Sequence, residues 1–237
     1  MENNNECQLC GGTGWIEWKE QHFGLTYEYA KECICVQRRR QMRLMQASNL
    51  PDTERMRLGT FSTSEEWQKR IADTAYRFAG WTPESSDDIP PWFFIGGQAG
   101  SGKTHICTGI CCNLIRNSQR TVQFSLWDEL VQKLKDKSYG SDANELMHKT
   151  QNVDVLYLDD FLHGSAGRSS VNLAYEIINA RYNNRKQTII SSEHFLQEII
   201  DMDHGLGGRI HERTRGFRLS VMRAADHDYR IRRTRNG

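Results

Sequence analysis

A glycine-rich octapeptide, residues 97–104 (GQAGSGKT), carries residue types suited to holding phosphate and fits the pattern G-x-x-x-x-G-K-[ST]. Glycines let the backbone turn its N–H groups toward phosphate oxygens, and the N-terminus of a following helix adds positive potential there. In this pattern Lys103 contacts the β- and γ-phosphates and the Thr104 hydroxyl binds Mg²⁺. The sequence therefore predicts a site for a nucleoside triphosphate. Its expected residues are Gly97, Gly100, Ser101, Gly102, Lys103, Thr104 and His105.

Two acidic residues, Asp159 and Asp160, close the largely apolar segment 153–160 (VDVLYLDD). An acid at the C-terminal end of a strand beside a phosphate-binding loop can hold Mg²⁺ during nucleotide hydrolysis. We expect Asp159 to take that role and Asp160 to polarise the attacking water as a general base. The alternative is that two acids at a strand end serve only solubility.

Hydrolysis also requires a group near the γ-phosphate and a cation for the charge that develops on it. Ser192 ends the apolar segment 187–191, and we expect it to orient the attacking water. Arg209 and Arg213 are four residues apart and would share one face of a helix, after a glycine pair that we interpret as a hinge. They are the candidates for the cation, although exposed arginines are usually surface charges.

Four of the seven cysteines lie near the N-terminus, as Cys7-x-x-Cys10 and Cys33-x-Cys35. Residues 15–30 alternate aromatic and polar side chains, which predicts a hairpin that brings the two pairs together. Four thiolates around one ion are typical of structural Zn²⁺, which would stabilise a segment too short for its own core. One alternative is disulfide bonding, which a reducing compartment disfavours, and another is four unrelated thiols.

Apolar segments that alternate with helical patterns predict an α/β domain, with a parallel sheet and helices on both of its faces. The phosphate-binding loop would then connect a strand to a helix. Cys107 and Cys111 on that helix would be small core residues. The expected strands are 92–95, 121–126, 153–160 and 187–191, the expected helices are 36–48, 64–81, 127–137 and 169–184, and 138–143 is expected to be a flexible break.

The chain has 237 residues, a formal net charge of +1, 38% hydrophobic and 26% charged residues, which indicates a globular protein rather than a disordered one. No apolar run reaches the about 20 residues of a membrane span, and the first residues lack the pattern of a secretory signal. We therefore expect a cytoplasmic protein with no membrane partner. Residues 207–237 hold nine arginines and three acids, which favours nucleic-acid contact, nucleotide sensing or solubility about equally.

Together these motifs resemble the AAA+ ATPases of the DnaC/DnaI type, the loaders of bacterial replicative helicases. The related IstB-like ATPases of insertion sequences share much of the pattern, and the cysteine-rich start looks like variants from phages and mobile elements. The resemblance covers roughly residues 47–233. The segments that carry it are 47–51 (ASNLP), 59–61 (GTF), 97–104, 159–161 (DDF), 178–182 (INARY), 187–192 (QTIISS), 206–213 (LGGRIHER) and 229–230 (YR).

The resemblance implies ATP and Mg²⁺ as cofactors, self-association, and slow ATP hydrolysis stimulated by single-stranded DNA or by assembly. It implies that Arg213, assisted by Arg209, acts as an arginine finger on the ATP of a neighbouring subunit, and that Arg230 contacts the γ-phosphate within its own chain. It also implies contact with single-stranded DNA through residues 124–137. The family often has Asn at the sensor position that Glu193 occupies here, so either Ser192 or Glu193 would act as the sensor.

We expect three parts of the chain: a four-cysteine zinc module (1–36), a linker helix and lead-in (37–60), and the ATPase domain (61–237). The resemblance implies that the zinc module, by its position, binds the hexameric replicative helicase. Two other functions stay open. One is an ATPase that assembles on duplex DNA to regulate transposition, and the other is a nucleotide switch that does not act on DNA.

Overall fold

The computed structural model describes residues 7–136, 140–164, 167–224 and 227–229. Strands and helices alternate through most of the chain after an N-terminal hairpin. In chain order the elements are β1 (Trp15–His22), β2 (Leu25–Glu32), α1 (Ile34–Ala47), a 3₁₀ turn (Leu58–Thr60), α2 (Glu66–Ala79), β3 (Phe93–Gly97), α3 (Lys103–Ser118), β4 (Val122–Leu126), α4 (Trp127–Lys135), α5 (Gly140–Asn152), β5 (Val155–Asp159), α6 (Arg168–Asn183), β6 (Gln187–Ser192), α7 (Leu196–Met202), α8 (His204–Arg213) and β7 (Arg218–Val221).

Five strands form one sheet in the order β4-β5-β6-β3-β7, and each neighbouring pair is parallel. Every residue of β3, β5 and β6 is buried, as expected for parallel strands that helices cover on both faces. The predicted α/β architecture is confirmed. Because the strands are parallel, the carboxyl ends of β3, β5 and β6 lie at the same edge of the sheet.

Strand alternation divides the core into two layers. On one face, Phe93, Ile95 and Tyr157 pack with residues of α2 and α3, including the predicted core cysteines Cys107 and Cys111. On the other face, Phe94, Leu156, Leu158 and Ile190 pack with residues of α4, α6, α7 and α8. Alternate residues of β5 and β6 therefore face opposite sides of the sheet, and only every second residue faces α3, the helix that follows the phosphate-binding loop.

Two local predictions are wrong. Residues 140–143 were expected to belong to a flexible break but begin α5, where Ser141 and Asp142 are the short polar residues that favour a helix start as much as a turn. Gly207 was expected to form a hinge but lies inside α8. A methyl group on Gly207 would stand 2.5 Å from Cα of Ile200, so this glycine permits the close packing of α7 on α8.

Two further short elements, α7 and the edge strand β7, are not among those expected from the sequence. β7 alternates exposed and buried residues over only four positions, which gives a weak signal along the chain. Within the described residues, no helix combines the length and the apolar character needed to cross a membrane.

Candidate nucleotide-binding site and cysteine cluster

The phosphate-binding loop joins the end of β3 to the start of α3 at the carboxyl edge of the sheet. Its three glycines at 97, 100 and 102 have φ angles of +113°, +71° and +86°, which residues other than glycine rarely adopt. At Gly97 a methyl group would also overlap the Val221 carbonyl oxygen. The glycines are therefore required for the curled loop that places N–H groups around a phosphate.

Lys103 is the first residue of α3, and its side chain folds over the loop. Its Nζ donates hydrogen bonds to the carbonyl oxygens of Gly97, at 3.0 Å, and Gln98, at 2.7 Å. Burial lowers the pKa of Lys103, while the negative charges of Glu193 and Asp160 act in the opposite direction. The ammonium group thus lies where a phosphate cradled by the loop would meet it.

A cavity of about 660 Å³ opens over the loop, a size that suits a small-molecule ligand. Residues of the lead-in before α2 close one side of it, and the segment around Tyr229 closes another. The lining residues are Met56, Thr60, Phe61, Ser62, Ala99, Gly100, Gly102, Lys103, Thr104, His105, Asp160, His163, Glu193 and Tyr229. Of the residues predicted to bind nucleotide, Ser101 is buried behind the loop, where its hydroxyl donates to the Gln98 carbonyl at 2.8 Å.

His105 connects the lead-in to the loop helix. Its Nε2 lies 2.9 Å from the Arg57 carbonyl oxygen and 3.1 Å from the Thr60 hydroxyl, and its ring packs edge-on against Phe61. The 59–61 segment, noted in the sequence only for its resemblance to a family lead-in, therefore forms a wall of the cavity.

The residues predicted to hold Mg²⁺ lie side by side. The Thr104 hydroxyl is 3.3 Å and 3.2 Å from the two carboxylate oxygens of Asp159, which comes from β5. The Asp159 side chain is buried, and its Oδ1 also accepts hydrogen bonds from Tyr157 and Ser191. A hydroxyl and a carboxylate are hard oxygen ligands of the kind that Mg²⁺ prefers, so this pair fits the ion.

Asp160 and Glu193 face the cavity beside the loop. Burial raises the pKa of Asp160, the nearby charge of Asp159 raises it further, and Lys103 opposes both. A carboxylate with a raised pKa is a better proton acceptor. His163, which is not among the site residues expected from the sequence, lies between Asp128 and Glu193, with its ring nitrogens 3.6 Å and 3.8 Å from their oxygens.

Ser192 points away from this group. Its hydroxyl donates to the Phe161 carbonyl at 2.7 Å and accepts the His194 N–H at 3.0 Å, and the residue is fully buried. Its neighbour Ser191 instead contacts Asp159 and accepts the Asp160 N–H at 3.2 Å. Strand alternation in β6 explains the difference, because adjacent residues face opposite sides of the sheet. Of the two sensor candidates, Glu193 lines the cavity.

Arg209 and Arg213 lie on one side of α8, in a stack with aromatic rings. The Arg213 guanidinium lies 5.5 Å from the Trp92 ring centroid and 5.6 Å from that of Tyr182. Arg209 stands 5.0 Å from the ring of Tyr175 and 5.6 Å from that of Tyr182, and its Nη1 donates to the Gly205 carbonyl at 2.8 Å. Arg213 is only 8% exposed, with Nε and Nη2 buried without a hydrogen-bond partner.

Arg213 lies far from the phosphate-binding loop of its own chain. Its carbonyl oxygen accepts the N–H of Trp92, directly before β3, whereas the loop follows the other end of that strand. Five strand residues span roughly 17 Å. Arg230, the predicted γ-phosphate residue, lies outside the described residues. Nearby, the Tyr229 N–H donates to the Gly100 carbonyl at 3.0 Å, so this segment contacts the loop.

The four N-terminal cysteines form one cluster. All four sulfur atoms lie within 4.8 Å of one another, and the pairs Cys7–Cys33 and Cys10–Cys35 are 3.7 Å and 3.6 Å apart. A disulfide requires about 2.05 Å, whereas sulfurs about 2.3 Å from one tetrahedral ion are about 3.8 Å apart. The spacing therefore fits a shared metal ion.

Backbone donors favour the charged form of Cys7 and Cys10, whose pKa values are lowered, whereas burial and the neighbouring thiols raise the pKa of Cys33 to about 12. The Gly14 N–H donates to Cys10 Sγ at 3.4 Å. Burial alone would raise the pKa of Cys10, but hydrogen bonds from Gly14, Cys35 and Gly12 outweigh it and lower that pKa to about 6. Thiolate is the form that binds a metal.

A family model described as "IstB-like ATP binding protein" matches residues 23–213. The chain is 30% identical over 218 residues to "Uncharacterized protein YqaM" of Bacillus subtilis (strain 168), covering 89% of this chain and 67% of that protein. The crystal structure of the DnaC helicase loader matches with a TM-score of 0.60, 21% identity, and coverage of 73% of this chain and 98% of that chain. Replication initiator DnaA bound to AMPPCP and single-stranded DNA matches with a TM-score of 0.58, 22% identity, and coverage of 74% and 52%. The shared fold is that of AAA+ P-loop NTPases, and the protein belongs to the IstB-like ATP-binding protein family.

Proposed function

We propose that this protein is an ATP-dependent loader of a replicative DNA helicase onto single-stranded DNA. The observation that carries the proposal is that Lys103, Thr104 and Asp160 line one cavity, with Asp159 against Thr104, in a fold shared with the DnaC helicase loader. The expected parts of the chain are the cysteine module (1–36), the linker (37–60) and the ATPase domain (61–237), with Met56 and Thr60 of the linker contributing to the nucleotide cavity.

In this function the loop N–H groups and Lys103 bind the phosphates of ATP, and Thr104 with Asp159 would hold Mg²⁺, which neutralises charge on the phosphates. Asp160 accepts the proton of the attacking water, and Glu193, which also lines the cavity, can accept a hydrogen bond from that water and so orient it. Burial and the neighbouring charges of Asp159 and Glu193 raise the pKa of Asp160, which suits it to proton transfer.

The distance between Arg213 and the loop of its own chain supports action on a neighbouring subunit. From the far end of β3, Arg213 cannot reach its own nucleotide, so self-association is required to complete the site. Its buried position between Trp92 and Tyr182 means that the side chain must rotate outward when subunits assemble. The guanidinium has two unpaired donor atoms, so outward rotation breaks no hydrogen bond at these atoms.

The carboxyl end of β4 and the start of α4 form the proposed contact for single-stranded DNA. A groove of about 280 Å³ beside them is lined by Phe124, Lys133 and Lys149 among others. Aromatic rings and lysines are the groups that stack on bases and attract phosphates in single-stranded nucleic acids. His163 connects this side to the nucleotide cavity through Asp128 at the start of α4 and Glu193. This link through His163 between the proposed DNA groove and the nucleotide cavity supports ATP hydrolysis that is stimulated by DNA.

The cysteine cluster leads to a prediction about metal content. Purified protein should contain about one zinc per chain, because four thiolates at this spacing complete a tetrahedral site. Changing Cys7 and Cys10 to serine should remove the zinc, as measured by elemental analysis. The matched control is Cys112→Ser, a buried cysteine of α3 outside the cluster, which should retain the metal. Reduced wild-type protein with far less than one zinc per chain would contradict the assignment.

The hairpin beyond the cluster has two different faces. One face carries Trp18, Tyr27 and Tyr29 with Leu25, and Trp18 stacks on Tyr29 with 5.3 Å between ring centroids. The opposite face pairs Lys19 with Glu28 and is mostly polar. Large apolar side chains on one exposed face indicate a binding surface for another protein. We assign this aromatic face, together with Phe23 at the tip, to the helicase.

A pull-down against the host replicative helicase tests this assignment. Changing Phe23, Leu25 and Tyr27 together to alanine should reduce helicase binding at least about tenfold, because exposed aromatic anchors dominate such interfaces. The matched control changes Gln21 and Thr26 on the opposite face and should bind like wild type. Equal zinc content in both variants excludes unfolding of the module as the cause. Undiminished binding by the aromatic-face variant would overturn the assignment.

The wild-type protein in the same pull-down tests the loader function itself. Failure to bind the helicase, combined with tighter binding to duplex than to single-stranded DNA, would favour a transposition regulator of the IstB type. ATP hydrolysis that no nucleic acid stimulates would favour a nucleotide switch that does not act on DNA.

A further inference from the structure

A buried phenol lies next to the predicted metal-binding carboxylate. Tyr157 is two residues before Asp159 on β5, so strand alternation places both side chains on the same face of the sheet. The Tyr157 hydroxyl donates to Asp159 Oδ1 at 2.5 Å, and the residue is fully buried.

A second hydroxyl approaches the same oxygen from the neighbouring strand. Ser191 of β6 donates to Asp159 Oδ1, and its own backbone carbonyl accepts the Phe161 N–H at 2.8 Å. Ser191 is therefore held at the carboxyl end of β5 by both its side chain and its backbone. The carboxylate is thus bound at Oδ1 by hydroxyls from two strands, while the Thr104 hydroxyl lies 3.3 Å from Oδ1 and 3.2 Å from Oδ2.

We propose that Tyr157, together with Ser191, is a positioning residue that holds the Asp159 carboxylate in the orientation required to bind Mg²⁺ beside Thr104. Both donors bind Oδ1, Tyr157 from the same strand and Ser191 from the neighbouring strand, so the carboxylate cannot rotate away from Thr104 without breaking a buried hydrogen bond. Groups that orient a metal ligand in this way typically alter metal affinity by about 10- to 100-fold when removed. This inference rests on the proposed ATP site.

The test is Tyr157→Phe, which keeps the ring and removes only the hydroxyl. ATP binding is titrated at a series of Mg²⁺ concentrations with a fluorescent ATP analogue, so the readout does not depend on hydrolysis. The variant should require about tenfold or more Mg²⁺ for half-maximal binding, while binding without Mg²⁺ stays unchanged. Ser191→Ala should shift the Mg²⁺ requirement in the same direction.

The control is Tyr182→Phe, which removes a hydroxyl bonded at 2.9 Å to Glu212 in α8, away from the loop. It should leave the Mg²⁺ requirement unchanged. An unchanged requirement in Tyr157→Phe, or equal losses of binding with and without Mg²⁺, would overturn the positioning role. If wild type binds the analogue with the expected Mg²⁺ dependence but does not hydrolyse ATP, the proposed ATPase activity fails and the role of Tyr157 stands.

Discussion

Replacing Lys103 with alanine is expected to weaken ATP binding by at least about 100-fold and to abolish ATP hydrolysis. The Lys103 ammonium lies over the loop and would exchange its bonds to the Gly97 and Gln98 carbonyls for bonds to phosphate. Hydrogen bonds to charged groups contribute about 1.5–3 kcal/mol each, and a 100-fold loss of affinity corresponds to about 2.7 kcal/mol. Isothermal titration calorimetry with ATP and Mg²⁺ measures the change directly.

The matched control is Lys186→Ala. Lys186 lies 3.6 Å from Asp154, well away from the loop, and surface ion pairs of this kind contribute about 0–1 kcal/mol. This variant should bind ATP within about twofold of wild type. Retention of wild-type ATP affinity by Lys103→Ala would mean that the phosphate site has been placed wrongly.

The same variant can be mixed with Arg213→Ala to test action between subunits. A Lys103→Ala subunit still provides Arg213, and an Arg213→Ala subunit still binds ATP. The mixture should therefore recover part of the hydrolysis that each variant lacks alone. A mixture that forms mixed oligomers, as shown by differential tags, yet recovers no activity would contradict the arginine finger. Such a result would leave Arg213 as a structural residue that packs on Trp92 and Tyr182.

Arg181→Ala is expected to lower the free energy of unfolding by about 3–5 kcal/mol, because several buried carbonyl oxygens lose their donor and each unsatisfied buried group costs about 1–3 kcal/mol. Arg181 is fully buried, and burial lowers its pKa to about 9, so the guanidinium stays charged at neutral pH. It donates to the Thr188 hydroxyl at 3.0 Å and to the Gln187 carbonyl at 2.5 Å. It also donates to three carbonyls at the end of α5 and just beyond, those of Thr150, Gln151 and Val153.

Urea unfolding followed by circular dichroism measures this loss. Arg185→Ala removes an exposed arginine from the adjoining turn and should change stability by less than about 0.5 kcal/mol. Arg181→Lys keeps the charge but has fewer donors, so its stability should be intermediate. If Arg181→Ala unfolds within about 1 kcal/mol of wild type, the network does not hold α5 to β6 as its geometry implies.

Features that depend on neighbouring residues could be predicted from the chain alone. The loop from Gly97 to Thr104 is such a feature, because the required backbone angles, the lysine and the hydroxyl all lie within eight positions. The hairpin between the cysteine pairs is another, since a period of two residues is a local property. The placement of Asp159 beside Thr104 also follows from short-range patterns, because parallel strands align their carboxyl ends.

Other features could not be predicted, because they depend on contacts between distant segments. Whether Ser191 or Ser192 contacts Asp159 depends on the register of β6 in the sheet, because a shift of one residue exchanges the faces on which the two side chains lie. Gly207 and Gly208 suggest a hinge in isolation, but the packing of α7 against Gly207 makes them part of a helix. Arg213 has the spacing of an exposed finger, yet the rings of Trp92 and Tyr182, from two other segments, enclose it. Motif chemistry is encoded over a few residues, whereas side-chain direction and burial arise only when the elements pack together.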